Sequence, residues 1–186
     1  MTKHNALLAL LIALLLFACN SDDLKNVKIS KVKISKNAIE RTYGVDLIYS
    51  DSAIVKAKGF ASILDKVTPQ NGQIYSEMPK GVKIEFYNKD LLKTGTITSD
   101  YAIRKEFDKQ TIFRKNVVIV SDKINFITEE LIWDENKKKF FSPYGKITRP
   151  DGSFSTGTKF TANQDFSEYN IENASGEAYI KGNLTQ

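Results

Sequence analysis

The 186-residue sequence predicts an all-β, antiparallel fold, and three observations carry that expectation. Helical periodicity is almost absent after residue 40. Short runs either alternate apolar with polar residues or are continuously apolar and β-branched, the two patterns strands leave in a sequence. Turn-forming clusters then separate these runs, at Asn71-Gly72, Tyr87-Asn88-Lys89-Asp90, Ser121-Asp122, Asp134-Glu135-Asn136 and Pro150-Asp151-Gly152.

In chain order, Leu24 to Lys36 alternates Lys or Ser with Val and Ile and reads either as a tether or as an edge strand. Residues 53–67 are open between a short helix and a strand. Val82-Lys83-Ile84-Glu85-Phe86 alternates strictly, as a strand with one buried face does. Asn116-Val117-Val118-Ile119-Val120 is apolar on both faces, which predicts a central strand covered on both sides. Ile124-Asn125-Phe126 alternates again, and Leu131-Ile132-Trp133 brings the single tryptophan. A faint repeat links Gly44-Val45-Asp46-Leu47-Ile48-Tyr49 with Gly81-Val82-Lys83-Ile84-Glu85-Phe86, and Ile54-Val55-Lys56 with Leu91-Leu92-Lys93 at the same offset. It suggests a strand-turn-strand unit used twice, in stacked layers.

The N-terminus has a different character. Lys3 precedes Ala6 to Ala18, a stretch without one polar residue, about as long as the core of a signal peptide and short of the roughly 20 residues that cross a bilayer. It ends in Leu16-Phe17-Ala18-Cys19, which resembles the bacterial lipobox: aliphatic at −3, small at −1, cysteine at +1. Phe17 departs from the small residue usual at −2. Residues 1–18 are thus expected to be a lipoprotein signal peptide, 19–40 a lipidated N-terminus and tether, and 41–186 one β domain. Cys19, the only cysteine, is expected to carry a diacylglycerol thioether and further acyl chains, since two or more are needed for durable attachment.

Composition narrows the chemistry. The only histidine is His4, inside the expected signal peptide, and Cys19 is expected to be blocked by lipid. Ser-His-Asp and Cys-His catalysis, His or Cys zinc sites and an intrachain disulfide then fall away. No Gly-rich phosphate loop is present. Glu129-Glu130 and Asp134-Glu135 read as solvated edges, and Lys137-Lys138-Lys139 as a hairpin turn or, more sharply, a contact for acidic head groups. The expectation is a non-enzymatic protein with no cofactor, no metal and no nucleic-acid partner.

From Met78 to Tyr179 the chain resembles the LptC family, the membrane-tethered periplasmic component of lipopolysaccharide export. The similar stretches are Gly81 to Tyr87, Thr98-Ser99-Asp100-Tyr101-Ala102, Asn116-Val117-Val118-Ile119, Thr128 to Asp134, Pro150-Asp151-Gly152-Ser153 and Gly157-Thr158-Lys159-Phe160. The resemblance implies a twisted, open β-jellyroll that shields lipid A acyl chains. It also implies two protein partners, an inner-membrane ABC transporter (LptB, LptF, LptG) and an LptA-like bridge that docks by edge-strand pairing. The departure is the anchor, because the best-known members use a transmembrane helix where this chain is expected to use lipid on Cys19, in the inner membrane and facing the periplasm.

Ile84, Phe86, Val118, Phe126, Leu131 and Trp133 are expected to form the inner face, either as a groove for acyl chains or as a closed core. Gly176 to Lys181 is expected to be the edge that meets the bridge, and Gly44 to Tyr49 the edge that meets the transporter. The competing reading is an anchored β-sandwich that binds glycan or a protein partner, with Tyr144, Phe154 and Tyr169 as contact aromatics.

Overall fold

The computed structural model describes residues 37–70 and 72–179. Cys19, the tether and the segment Leu24 to Lys36 lie outside them. Eleven strands follow one another: β1 (Asn37–Asp51), β2 (Ile54–Pro69), β3 (Tyr75–Met78), β4 (Val82–Tyr87), β5 (Lys93–Ser99), β6 (Tyr101–Lys105), β7 (Gln110–Ser121), β8 (Asn125–Asp134), β9 (Lys139–Thr148), β10 (Phe154–Asn163) and β11 (Tyr169–Glu177). The fold is all-β and antiparallel throughout, in one jellyroll-like sheet.

The sheet runs β11-β10-β9-β8-β7-β5-β4-β2-β3-β6, with β1 on β2 and β6 returning to β7. The long strands β2 and β7 make this possible. β2 pairs β4 through Ala57 to Phe60 and β3 through Asp65 to Val67. β7 pairs β6 through Gln110 to Arg114 and β5 through Val118 to Ser121. The short pairs β4–β5 and β3–β6 thus fill the space between the two long strands. Of residues 53–67, Ala53 lies in the β1–β2 turn and Ile54 to Val67 resolve as strand, because β2 needs its full length to hold β1 on one side and two short strands on the other.

The burial alternation changes phase along a line across β7 to β10. Phe126 and Thr128 are buried on β8, then Leu131 and Trp133; β9 buries Phe140 and Ser142, then Gly145 and Ile147; β10 buries Gly157, then Phe160. β7 carries a bulge at the same level, with Lys115 and Asn116 at φ 64° and 50°. Hydroxyls bind the backbone where pairing lapses. Thr128 Oγ1 donates to the Tyr144 carbonyl at 2.6 Å, and Ser142 Oγ to that of Glu130 at 2.7 Å. Such bonds spare buried carbonyls the cost of going unpaired, about 1–3 kcal/mol each.

Three expectations change. β1 begins at Asn37, four residues inside the stretch assigned to the tether. The repeated units are not stacked layers: hairpins β1–β2 and β4–β5 lie side by side, joined by β2–β4 pairing. Asn116 to Val120 is covered on one side only, with Val120 51 % exposed, because among the described residues no second layer packs over that part of β7.

Candidate lipid-binding core and edge strands

The six inner-face residues come from β4, β7 and β8, and five of them meet. Ile84, Phe86, Phe126, Leu131 and Trp133 are between 0 and 6 % exposed and belong to one contiguous core. Val118 does not. It is half-buried on the opposite face of β7, paired with Thr98 and the exposed Ile127, while Val117 and Ile119 point inward. Both parities of this run are apolar, so hydrophobicity left the phase open; the bulge at Lys115-Asn116 sets it.

Sequence reasoning also passed over the aromatics that complete the core. Phe86 stands edge-on to Trp133 at 4.9 Å, to Phe140 at 5.3 Å and to Phe166 at 5.8 Å. Phe140 stacks on Phe166 at 4.9 Å, and Phe126 on Phe160 at 3.8 Å. Each such ring adds about 1.5–3 kcal/mol by burial, and edge-on pairs about 0.5–1.5 more. Phe160 was legible as an alternating apolar position with Ala162, whereas Phe140 has Phe141 beside it and either parity would serve. Phe166 was not, since it sits in a turn at φ 57°.

One polar atom in this core has no partner among the described residues. The indole nitrogen Nε1 of Trp133 is buried without a hydrogen bond to any of them. The Tyr49 ring from β1 lies edge-on to that indole at 5.1 Å. Tyr49, with Leu47, packs half-buried against the core. Burial raises the Tyr49 hydroxyl above its ordinary range, helped by the charges of Glu135 and Asp51.

The acidic pair at the end of β8 is a correction. Asp134 and Glu135 are 4 and 5 % exposed, not solvated edges. Glu135 receives both Nη atoms of Arg104. Burial opposes the charge on Asp134, but the Lys137 N–H and the Gln110 amide outweigh it and hold the carboxyl below its usual range. Fold closure at β3–β6–β7 makes this pairing, and that closure is invisible in the local sequence. Of the Lys137-Lys138-Lys139 run, the first two lie in the β8–β9 turn and Lys139 opens β9, with Lys137 3.2 Å from Asp134 and Lys138 2.7 Å from Asp51.

Among the described residues the sheet has two long free edges, since β1 pairs only β2 and β11 only β10. Gly44 to Tyr49 falls on the first. The second ends at Glu177, so the edge expected over Gly176 to Lys181 is shifted toward the N-terminus: it is Tyr169–Glu177. The Tyr179 N–H is already bound to Ser153 Oγ at 3.0 Å, and residues 180–186 lie outside the described part. Among the contact aromatics of the competing reading, Tyr144 is exposed and Phe154 and Tyr169 are half-buried. Among the described residues no group of acidic, His or Cys side chains has the arrangement of a metal site. No known protein-family profile matches this chain, and no curated protein does.

Proposed function

We propose that this protein is a membrane-anchored, non-enzymatic carrier of lipopolysaccharide. It takes the lipid from an inner-membrane transporter and passes it to a jellyroll bridge. The observation that carries the reading is the pair of strands β1 and β11, each an edge among the described residues, at the two margins of a single jellyroll-like sheet. Unpaired strand edges are normally a hazard, and two of them suit a domain that docks a neighbour at each by strand addition. The resemblance from Met78 to Tyr179 supports the same role. Shielding an acyl chain is a real need, because each CH₂ moved from lipid into water costs about 0.8 kcal/mol.

In this reading the acyl chains lie against Ile84, Phe86, Phe126, Leu131 and Trp133. These side chains now fill one another's space, so a chain reaches them only when half-buried Leu47 and Tyr49 of β1 move aside. The unpartnered indole N–H of Trp133 would then find an ester or amide carbonyl of the lipid. The sealed packing also favours a second reading, an anchored sandwich that binds glycan or protein through its surface.

Photo-crosslinkers placed singly at Ile84, Phe126 and Leu131, in cells making lipopolysaccharide, separate the two. Lipopolysaccharide adducts at these positions and none at Lys83 or Glu85 are expected of a carrier. Adducts at neither set sink it. Proline scanned along Tyr169–Glu177 removes backbone donors one at a time and should weaken bridge pull-down at alternate positions. Uniform pull-down would remove β11 as the docking edge. Mass spectrometry of the mature N-terminus tests Cys19: an unmodified cysteine ends the anchor claim.

A further inference from the structure

The turn between β4 and β5 holds two adjacent apolar side chains out in water. Leu91 and Leu92 are 59 and 64 % exposed. Leu91 also has φ 59°, a left-handed conformation that suits Gly or Asn and strains a leucine. A strained residue with its side chain outward points to what it presents rather than to what it packs against.

The backbone of this turn is closed on itself. Asn88 Oδ1 accepts from the Asp90 and Leu92 N–H groups, both at 2.9 Å. The Leu91 N–H donates to the Asn88 carbonyl at 3.1 Å, and the Asn88 N–H to that of Leu92 at 3.0 Å. The consecutive amides of Asp90, Leu91 and Leu92 therefore need nothing from outside. In water or against a protein that closure is optional, since both supply partners. In lipid it is required, because an unpaired N–H finds none there. Lys89 and Lys93 flank the tip, and long stems let ammonium groups stay among head groups while neighbouring side chains go deeper. Asp90, exposed between them, limits insertion to that boundary. Charge around the tip is nearly balanced. Lys93 lies 3.7 Å from Glu85, and the adjoining cleft of 490 Å³ sets Lys56, Lys89 and Lys138 beside Asp90 and Asp165, with Lys138 bound to Asp51.

We infer that the Leu91-Leu92 tip inserts into the head-group boundary of a phospholipid bilayer, driven by the leucines and indifferent to head-group charge. A convex turn from Asn88 to Leu92 does not offer the roughly 800 Å² a side that a stable protein partner needs. A tethered domain needs only weak insertion, because the tether keeps it at high effective concentration beside the membrane. The reach is there. The chain from Cys19 to Asn37 extends up to about 60 Å, and β1 covers roughly 46 Å from Asn37 to the turn that precedes Lys56, which lines the same cleft as Asn88 to Asp90. The inference rests on the membrane anchor of the proposed function and not on lipopolysaccharide carriage.

The test uses the mature chain with its lipid, reconstituted in phosphatidylcholine vesicles whose acyl chains carry bromine as a short-range quencher. The indole introduced by Leu92→Trp is expected to be quenched. That of Phe107→Trp, on the exposed β6–β7 turn between Glu106 and Asp108, is expected to be untouched. Trp133 is buried and gives the same background in both. In the Leu92→Trp chain, Leu91→Asn relieves the strain at φ 59° while removing one apolar side chain. Its melting temperature should hold or rise while the docked population falls about tenfold. Asn88→Ala keeps both leucines, frees two amides and should also reduce docking; if it loosens the hairpin, Leu91→Asn decides alone. An unquenched indole at Leu92→Trp, as a protein cover would give, overturns the inference. So does equal quenching on both turns, or a lower melting temperature in Leu91→Asn. If Cys19 proves unmodified, the unanchored chain is added to excess vesicles and the same comparison decides, so loss of the anchor and loss of the tip are separate results.

Discussion

The hairpins β1–β2 and β4–β5 start from one pattern, a glycine followed by a five-residue alternating strand, and end in different places. Gly44 and Gly81 both have positive φ, 61° and 82°. Beyond Gly81, the β4 residues Val82, Ile84 and Phe86 are buried in the core, because β4 has β2 on one side and β5 on the other. Beyond Gly44, the matching Val45, Leu47 and Tyr49 are only half-buried, because among the described residues β1 has β2 alone. Earlier on β1, Ile39 and Tyr43 are 61 and 70 % exposed. Local sequence sets which residues share a face; the number of neighbouring strands sets how much that face is worth.

The largest expected effect tests this directly. Phe86→Ala removes the ring that touches Trp133, Phe140 and Phe166 and should cost about 3–5 kcal/mol in urea unfolding. The corresponding Tyr49→Ala should cost about 1–2 kcal/mol, as a half-buried ring does. Equal losses would break the comparison.

The glycines sharpen it. A Cβ on Gly81 would stand 2.6 Å from the Ser99 carbonyl oxygen, whereas one on Gly44 meets nothing within 4 Å. Gly81→Ala should therefore cost about 2–4 kcal/mol, backbone strain plus overpacking. Gly44→Ala should cost about 1–2 kcal/mol, from strain alone. Thermal melts of both variants decide it.

A smaller effect concerns what holds the exposed half of β1. Arg41 of β1 donates from Nε and Nη2 to the two oxygens of Asp65 on β2, both at 2.6 Å. The Arg41 guanidinium holds the Asp65 carboxyl below its usual range. Because the folded-state value is the depressed one, the stabilisation is full above the ordinary value near 3.8. It is lost as the pH falls through the lower folded value. Hydrogen exchange over Asn37 to Tyr43 should accelerate on acidification in the native chain, and should be fast and nearly pH-flat, after correction for intrinsic rates, in Asp65→Asn. The smallest effect is expected at Ile48→Ser, on the exposed face of β1, within about 0.5 kcal/mol of the native chain. A larger loss would mean that this edge is covered.

Much of the inner face was legible because strict alternation leaves one choice. Val82 to Phe86 offers a single apolar parity, and Ile84 and Phe86 face inward as alternation requires. Val117 to Val120 offers two, and the structure turns Val117 and Ile119 inward, leaving Val118 on the other face. Asp134 and Glu135 look like turn residues in the sequence; in the structure Asp134 ends β8 and Glu135 opens the turn. Their burial comes from Arg104 and Gln110, at least 24 positions away, which no local pattern reports. Phe166 enters the core from a turn, where period-2 reasoning has nothing to say.

The sequence by itself determined the all-β class, the positions of most turns and the inward parity of β4, because side-chain alternation and turn chemistry act over a few residues. Tertiary structure alone decided that β1 is an edge while β4 is central. It alone closed β6 onto β7 and buried Glu135 against Arg104. Each of these depends on which strands become neighbours, and that choice rests on contacts between segments far apart in the chain.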